Sequence, residues 1–168
     1  DLNCRYVLLG HSERRHVFGE TDELIARKFR LALKCGLVPI LCVGETLEQR
    51  EADQTDEIIA QQLAAVLDAY EAEQLSAVQF LIAYEPVWAI GTGKTAVPEQ
   101  AQQVHSAIRE RIMKKHGNLG ANLRIIYGGS VNTANAADLI AMQDIDGLLI
   151  GGASLKLDEF VEIIQCSK

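Results

Sequence analysis

Five short apolar runs along the chain predict five β-strands. Most of them are rich in valine, isoleucine and leucine and show no alternation with polar residues. This pattern is typical of strands that are buried on both faces, as in a parallel sheet. The predicted strands cover residues 6–10, 38–44, 80–84, 124–128 and 147–151.

The segments between the predicted strands carry apolar residues at helical spacing. In one of them Ile58, Ile59, Leu63, Val66 and Leu67 recur along one helical stripe. The predicted helices cover residues 22–35, 55–70, 98–116, 133–142 and 157–164. Strands that alternate with helices indicate one α/β domain over residues 1–168, with parallel strands and right-handed crossovers. This alternation alone fits both an open doubly wound sheet and a closed barrel.

Two glycine-rich turns favour the barrel. Gly128-Gly129-Ser130 and Gly151-Gly152-Ala153-Ser154 follow the last two predicted strands. Barrels frequently bind phosphate in the loops after strands seven and eight, which would make the five visible strands numbers four to eight. A barrel takes about 250 residues in units of about 30 each. We therefore expect a (β/α)8 barrel truncated to its last five βα units, without the three N-terminal ones.

Composition narrows the class of protein further. The net charge of −7 argues against a general binder of nucleic acids or membrane surfaces. No stretch approaches the about 20 apolar residues of a membrane helix, and no signal-peptide pattern opens the chain. The first residues lack methionine and run at once into an apolar segment, as if cut within a domain. The cysteines show no C-x-x-C spacing or histidine cluster, which predicts no metal site and buried or half-buried free thiols in the cytoplasm. They are Cys4, Cys35, Cys42 and Cys166.

Polar residues gather where two of the predicted strands end. His11 follows the first strand and Glu85 follows the third. In a barrel both would face one bound molecule, where a carboxylate can remove a C–H proton beside a carbonyl that an imidazole polarises. Taken singly, Glu85 also fits a capping or salt-bridged carboxylate, and His11 fits a hydrogen-bonded structural histidine. The remaining histidines are expected at the surface: His16, His105 and His116.

The segment after Glu85 is longer than the usual βα loop of about 2–6 residues. Residues 86–96 contain apolar residues and the glycines Gly91 and Gly93, which predicts a lid that folds over a ligand and excludes water. An irregular loop is the alternative. Gly93-Lys94-Thr95 resembles part of a nucleotide P-loop, but Trp88 occupies the position of the required first glycine. The glycine turns after the last two strands could bind phosphate through backbone N–H groups, or could simply be tight bends.

Four motifs together resemble the triosephosphate isomerase family. The lid motif, Tyr84-Glu85-Pro86-Val87-Trp88-Ala89-Ile90-Gly91-Thr92-Gly93, is highly specific. The other three occur in the family's order, and the resemblance covers essentially the whole chain. They are Gly10-His11-Ser12-Glu13-Arg14-Arg15, Tyr127-Gly128-Gly129-Ser130-Val131 and Gly151-Gly152-Ala153-Ser154-Leu155.

The resemblance implies an enzyme that interconverts dihydroxyacetone phosphate and glyceraldehyde 3-phosphate through an enediolate, in glycolysis and gluconeogenesis. It implies that Glu85 is the general base and that His11 is a neutral electrophile at the substrate oxygens. This family is a well-known case in which the neutral state of the imidazole is attributed to a helix N-terminus, which residues 12–15 would supply here. The resemblance further implies a homodimer for the full-length protein and no metal or organic cofactor.

The resemblance also assigns the residues around the catalytic pair. Phosphate would be held by backbone N–H groups of Gly91, Ser130, Gly151 and Gly152. Supporting positions fall to Glu13 beside the site, to Cys42 behind Glu85, and to Tyr127 and Ser130, which would secure the closed lid near Ala96 and Gly93.

The chain departs from the family pattern at its beginning. The family's first strand supplies an asparagine and a lysine to the active site, and its third βα loop reaches into the partner subunit. The part of the family pattern that holds this strand and this loop has no counterpart in the present sequence. We therefore expect negligible isomerase activity from these 168 residues alone. A non-catalytic barrel fragment is one alternative. Another phosphate-binding barrel, such as an aldolase, is a second, although Lys94 and Lys156 do not lie at strand ends as a Schiff-base lysine would.

Overall fold

A single sheet of five parallel strands organises the chain. The structure, a computed structural model, describes residues 2–90 and 95–166. Strands pair in the order in which they occur along the sequence, and every pairing is parallel. All five predicted strands are confirmed, each slightly shorter than its apolar run. They are β1 (Tyr6–Leu9), β2 (Val38–Val43), β3 (Leu81–Tyr84), β4 (Ile125–Tyr127) and β5 (Gly147–Leu148).

Helices connect the strands as the alternation predicts. Among the described residues they are α1 (Ser12–His16), α2 (Asp22–Lys34), α3 (Leu47–Glu51), α4 (Thr55–Leu67), α5 (Ala72–Ser76), α6 (Pro98–His116), α7 (Leu119–Asn122), α8 (Ala136–Ile140) and α9 (Leu157–Cys166). Short 3₁₀ turns cover Val87–Ala89 and Gly152–Leu155. The long helices α2, α4, α6 and α9 confirm the predicted ones. The short helices α3, α5 and α7 were not predicted, because one turn is too short to show a period.

Helix α8 is shorter than the predicted segment 133–142. The Asn132 side chain accepts hydrogen bonds from the backbone N–H groups of Ala134 at 2.9 Å and Asn135 at 3.2 Å. These bonds hold the segment before the helix in an Asx-type turn, which competes with helix formation. The helix therefore begins only at Ala136.

The two faces of the sheet pack differently. Leu41, Ile82 and Ile125 are fully buried in the large core that lies beneath the helices. Cys42, Ala83 and Ile126 belong to a separate, smaller cluster, as expected when successive strand residues point to opposite faces. Burying one such aliphatic side chain contributes about 1.5–3 kcal/mol. Burial on both faces of β2, β3 and β4 explains why these strands appear in the sequence as continuous apolar runs.

The sheet keeps two edges within the described residues. Strand β1 pairs with β2 alone and β5 pairs with β4 alone. On β1 the large apolar side chains of Tyr6 and Leu8 are 51% and 44% exposed. Such edges present unpaired backbone groups that favour association with another strand.

The prediction that His105 and His116 lie at the surface is wrong. His105 is fully buried, and its ring packs edge-on against the Tyr84 ring with 5.8 Å between centroids. Burial lowers the pKa of His105 to about 4, so the ring is neutral at pH 7. His116 is also buried, and burial lowers its pKa. His16 is exposed, as predicted.

Candidate active site

One cleft at the carboxyl ends of the strands brings the predicted residues together. It has a volume of about 370 Å³ and is lined by residues that follow four different strands. The carboxyl ends of parallel strands meet at one end of the sheet, and that is where barrel enzymes place their chemistry. The predicted site residues that line it are His11, Glu85, Ser130, Gly151 and Gly152.

Glu85 is a buried carboxylate, only 3% exposed. Burial raises its pKa above the ordinary value, opposed by the positive charge that His11 carries only when protonated and by hydrogen bonding from the Ser12 backbone N–H. One carboxylate oxygen, Oε1, lies 3.5 Å from His11 Nε2. The other, Oε2, has no hydrogen-bond partner among the described residues. A carboxylate with a raised pKa and an unsatisfied oxygen is well suited to accept a proton.

His11 stands at the N-cap of α1, and its Nδ1 accepts a hydrogen bond from the Glu13 backbone N–H at 3.3 Å. Because Nδ1 is an acceptor, the proton of the neutral ring resides on Nε2, the atom that faces Glu85. Glu13 itself is exposed and contributes its backbone to this arrangement. The predicted helical turn at residues 12–15 is confirmed as the start of α1.

Glu85 occupies a slot between two glycines. A Cβ at Gly44 would overlap the Glu85 backbone oxygen, and a Cβ at Gly128 would lie 2.8 Å from Glu85 Cγ. A residue larger than glycine at position 44 or 128 would therefore displace the Glu85 backbone or its carboxylate. The buried Gln62 side chain holds Gly44 by accepting from its N–H at 2.8 Å and donating to its carbonyl at 3.1 Å.

Cys42 lies on the sheet face behind Glu85. Burial, together with the neighbouring Glu85 charge, raises the pKa of the Cys42 thiol well above its ordinary value, so it stays protonated. Cys42 is fully buried and Cys166 is half-buried, as predicted, but the prediction is wrong for Cys4 and Cys35, which are exposed. All the cysteines are free.

Several groups anchor the two ends of the predicted lid. At its start, the Ser130 hydroxyl donates to the Ala89 carbonyl at 2.5 Å. At its end, Ala96 is buried. The Tyr127 hydroxyl is also buried and makes no hydrogen bond within the described residues, so its predicted bond near Ala96 is not formed, and burial raises the pKa of Tyr127 to about 12. The predicted phosphate ligand Gly91 and the lid residue Gly93 lie outside the described residues.

A buried carboxylate that was not predicted from the sequence also anchors the lid. Glu45 is fully buried and accepts hydrogen bonds from Trp88 Nε1 at 2.9 Å and from the Tyr84 hydroxyl at 3.1 Å. Arg50 pairs with the same carboxylate at 3.1 Å and stacks on the Trp88 ring. The available signal was its position, two residues after the end of β2.

The Gly151-Gly152 turn forms the open side of the cleft. Both glycines are exposed, and a Cβ built on either one meets nothing within 4 Å. Packing therefore does not require glycine at these positions. The space above the backbone is free for a ligand, and the lining contains no lysine or arginine among the described residues. An anion would be held there by backbone N–H groups.

Comparison with known proteins decides the family. The sequence profile of triosephosphate isomerase matches residues 1–167. The chain belongs to the triosephosphate isomerase family. It is 58% identical over 163 residues to triosephosphate isomerase of Nitrosomonas europaea, covering 97% of this chain and 64% of the relative. It is 56% identical to that of Herminiimonas arsenicoxydans and 53% identical to that of Pseudomonas putida strain W619, in both cases covering 99% of this chain and 66% of the relative.

Membership of the triosephosphate isomerase family explains the open sheet. The chain spans about two thirds of the length of these relatives. Five parallel strands in sequential order with intervening helices agree with an incomplete TIM barrel. The expectation of a truncated barrel is confirmed.

The described residues contain neither a metal-binding cluster nor a membrane-spanning helix. Among the residues that the structure describes, no three histidine, cysteine, aspartate or glutamate side chains cluster closely enough to hold a metal ion. Nor does any described helix combine the length and apolar character needed to cross a bilayer.

Proposed function

We propose that this chain provides the catalytic carboxylate and imidazole of a triosephosphate isomerase that interconverts dihydroxyacetone phosphate and glyceraldehyde 3-phosphate. The observation that carries the proposal is the 3.5 Å approach of His11 Nε2 to Glu85 Oε1 in a cleft shared with Gly151 and Gly152. Family membership over nearly the whole chain gives the substrate class.

In the proposed reaction Glu85 removes a proton from carbon one of dihydroxyacetone phosphate, which gives an enediolate with its charge on the oxygen of carbon two. The hydroxyl proton on the oxygen of carbon one then passes to the oxygen of carbon two, and Glu85 returns its proton to carbon two. The negative charge that develops on the substrate oxygens is stabilised by the Nε2–H of the neutral His11 ring. The buried environment that raises the pKa of Glu85 strengthens it as a base. The isomerisation needs no external oxidant, because carbon one is oxidised to the aldehyde as carbon two of the same molecule is reduced to the alcohol.

The phosphate group is proposed to lie on the glycine side of the cleft. Backbone N–H groups of Ser130, Gly151 and Gly152 would bind it, with Gly91 added from the lid. Tyr127, Ser130 and Ala96 would hold the lid closed, and Glu13 would support His11 through its backbone. Closure would exclude water from the enediolate.

The chain is proposed to be one incomplete domain over residues 1–168. Complete, it would be a cytoplasmic homodimer that acts on a small phosphorylated triose and binds no nucleic acid or membrane. Alone, it would have negligible activity, because the asparagine and lysine that the family supplies from the first strand are not part of it.

A chimera tests the proposal directly. The N-terminal third of the Nitrosomonas europaea relative is joined to this chain, and isomerisation of glyceraldehyde 3-phosphate is followed. We expect activity in the chimera and none in the chain alone. Glu85→Gln should lower kcat by about 10²–10⁴-fold, the usual contribution of a general base, whereas Glu99→Gln, at the exposed start of α6, should leave it unchanged.

The result that contradicts the proposal is a folded chimera that either lacks isomerase activity or keeps it after Glu85→Gln. With the N-terminal third supplied as a separate polypeptide, tight association of the two parts without activity would support the non-catalytic fragment instead. Circular dichroism and the Trp88 fluorescence establish folding independently of activity.

A further inference from the structure

Arg15 lies beside the site, and the proposed mechanism gives it no role. Its side chain is only 10% exposed. The guanidinium donates from Nε to the Gly10 carbonyl at 2.7 Å, from Nη1 to Asp22 at 2.6 Å, and from Nη2 to the Cys42 carbonyl at 3.2 Å. All three side-chain nitrogens are therefore engaged by three different segments of the chain.

The two backbone acceptors lie just beyond the last pair of the β1–β2 ladder. That ladder ends at Leu9 opposite Leu41, and Gly10 and Cys42 are the next residues on each strand. Arg15 supplies donors to both carbonyls, so one rigid group joins the ends of the two strands. The first of these carbonyls belongs to Gly10, which follows β1 and directly precedes His11.

Gly10 shows how closely the guanidinium is fitted. Its φ of 73° is in the left-handed region, and a Cβ there would lie 2.9 Å from Arg15 Nη2 and 3.1 Å from the Cys42 carbonyl oxygen. Only glycine combines that backbone conformation with that approach. The turn that leads into His11 is thus shaped around the Arg15 side chain.

We propose that Arg15 is a positioning residue that holds the His11 turn against the end of β2, so that the imidazole stays in register with Glu85. The proposal rests on the proposed function for its catalytic consequence. Arg15 does not line the cleft, and its hydrogen bonds go to neither reacting group. It positions His11 through the backbone of Gly10 and Cys42. Its charge also opposes the rise in the pKa of Glu85, an effect that a lysine at position 15 would retain.

The shape of the guanidinium matters as well as its charge. Arginine presents a planar fork of donors in fixed directions, whereas the lysine ammonium is a compact charge on a flexible stem. A lysine at position 15 could pair with Asp22 or reach one carbonyl, but could not span both carbonyls with the same geometry. Arg15→Lys therefore separates positioning from charge.

Neighbouring residues provide matched controls. Arg14 lies in the same turn and pairs with Glu20 through Nε at 2.6 Å, so Arg14→Met removes a cation without touching either strand end. Asp22→Asn removes the carboxylate partner of Arg15 but leaves both carbonyl bonds in place. Neither control should disturb His11 if the carbonyl bonds are what matters.

The first measurement needs no enzyme activity. The ring nitrogens of His11 are observed by ¹⁵N NMR in the 168-residue chain, with its four histidines assigned by substitution. Wild type should show one protonated and one acceptor nitrogen, because Nδ1 accepts from Glu13. Arg15→Met and Arg15→Lys should lose this distinction as the ring begins to exchange between tautomers, while Arg14→Met and Asp22→Asn should retain it.

The second measurement uses the active chimera. Arg15→Lys should lower kcat by about 10- to 100-fold, the scale expected when a catalytic group is misplaced by about 1 Å. The KM for glyceraldehyde 3-phosphate should change less than about twofold, because the phosphate side of the cleft is untouched. A merely structural role would lower stability without this split between kcat and KM.

The two measurements separate the inference from the proposed function. A chimera that is active and indifferent to Arg15→Lys, with the His11 tautomer unchanged, overturns the role of Arg15 and leaves the isomerase assignment standing. An inactive chimera in which Arg15→Lys still disturbs the His11 tautomer removes the isomerase assignment but preserves the positioning role.

Discussion

The Glu85 side chain lies in a buried site that disfavours its ionised form. It is almost wholly buried, Oε2 has no partner among the described residues, and burial raises its pKa. Retaining an ionised carboxylate there costs free energy in the folded state, a cost that the proposed catalytic role explains.

The raised pKa predicts a pH-dependent stability difference. Below the ordinary value of 4.5 the carboxyl is neutral in both folded and unfolded chains, and ionisation does not affect the balance. As pH rises towards the folded-state pKa, the unfolded chain ionises first and wild type loses stability. Glu85→Gln should therefore be more stable than wild type at pH 7, because it carries no charge that burial disfavours.

Urea unfolding between pH 4 and 8 measures this difference. The advantage of Glu85→Gln should shrink as the pH falls towards 4, whereas Glu99→Gln should track wild type throughout. A Glu85→Gln advantage that stays constant with pH would show that burial does not disfavour the charge.

Replacing glycine by alanine should affect stability very differently at two positions near the cleft, Gly44 and Gly151. Gly44→Ala drives a Cβ into the Glu85 backbone oxygen, an overpacking that should cost about 1–3 kcal/mol or more. Gly151→Ala meets open space and should leave thermal stability within about 0.5 kcal/mol of wild type, the range of ordinary surface changes. Thermal unfolding of both variants checks the contrast, and equal losses would contradict it.

Among the secondary-structure elements, the start of the predicted lid is held by the buried carboxylate of Glu45. Nothing in the sequence identifies this carboxylate as buried. Glu45 accepts from Tyr84 and Trp88 and pairs with Arg50. Two of these partners lie about forty positions further along the chain. Only folding brings them together, so a local pattern could not reveal the network.

Breaking this network should release Trp88, the single tryptophan of the chain. Arg50→Met removes one cation from a fully buried carboxylate and should cost about 3–5 kcal/mol, with a red shift of the tryptophan emission as its surroundings open. Arg27→Met is the control, since Arg27 is an exposed residue of α2. An unchanged emission maximum and unfolding midpoint in Arg50→Met would contradict the prediction.

The elements that could be predicted share one property, a local signal. Continuous apolar runs identified all five strands, and period 3.6 identified the long helices. His105 and His116 were misplaced because a histidine in a helix carries no sign of which face it lies on. His105 is neutral because it is buried against Tyr84 and Tyr127, contacts that depend on the assembled sheet.

The candidate site was predicted mainly through strand ends and motifs. His11, Glu85, Ser130, Gly151 and Gly152 converge on one cleft as expected of residues that follow parallel strands. Gly44, Gln62 and Arg15 were not predicted to matter. Their importance lies in close approaches that only glycine permits and in bonds to backbone carbonyls, which leave no pattern in residue type.

For the whole molecule, the open edges of the sheet are the dominant feature. Strands β1 and β5 each lack a second partner within the described residues. Large apolar side chains are exposed on β1, at Tyr6 and Leu8, and in the segment that follows β5, at Leu155 and Leu157. We expect the chain alone to self-associate, and the chimera that supplies the N-terminal third to suppress this association.

Light scattering across a concentration series measures that expectation. The chain alone should form species larger than a dimer as its concentration rises, while the chimera should reach a defined size. A chain that stays monomeric over the whole series would show that its edges are protected without the N-terminal third.

The sequential strand order has a consequence for how such a protein can be divided. Because each strand pairs only with its neighbours along the polypeptide, a break between two βα units separates a single ladder and leaves all the other pairings intact. We therefore expect a division between two βα units to disturb this sheet less than a division within one unit.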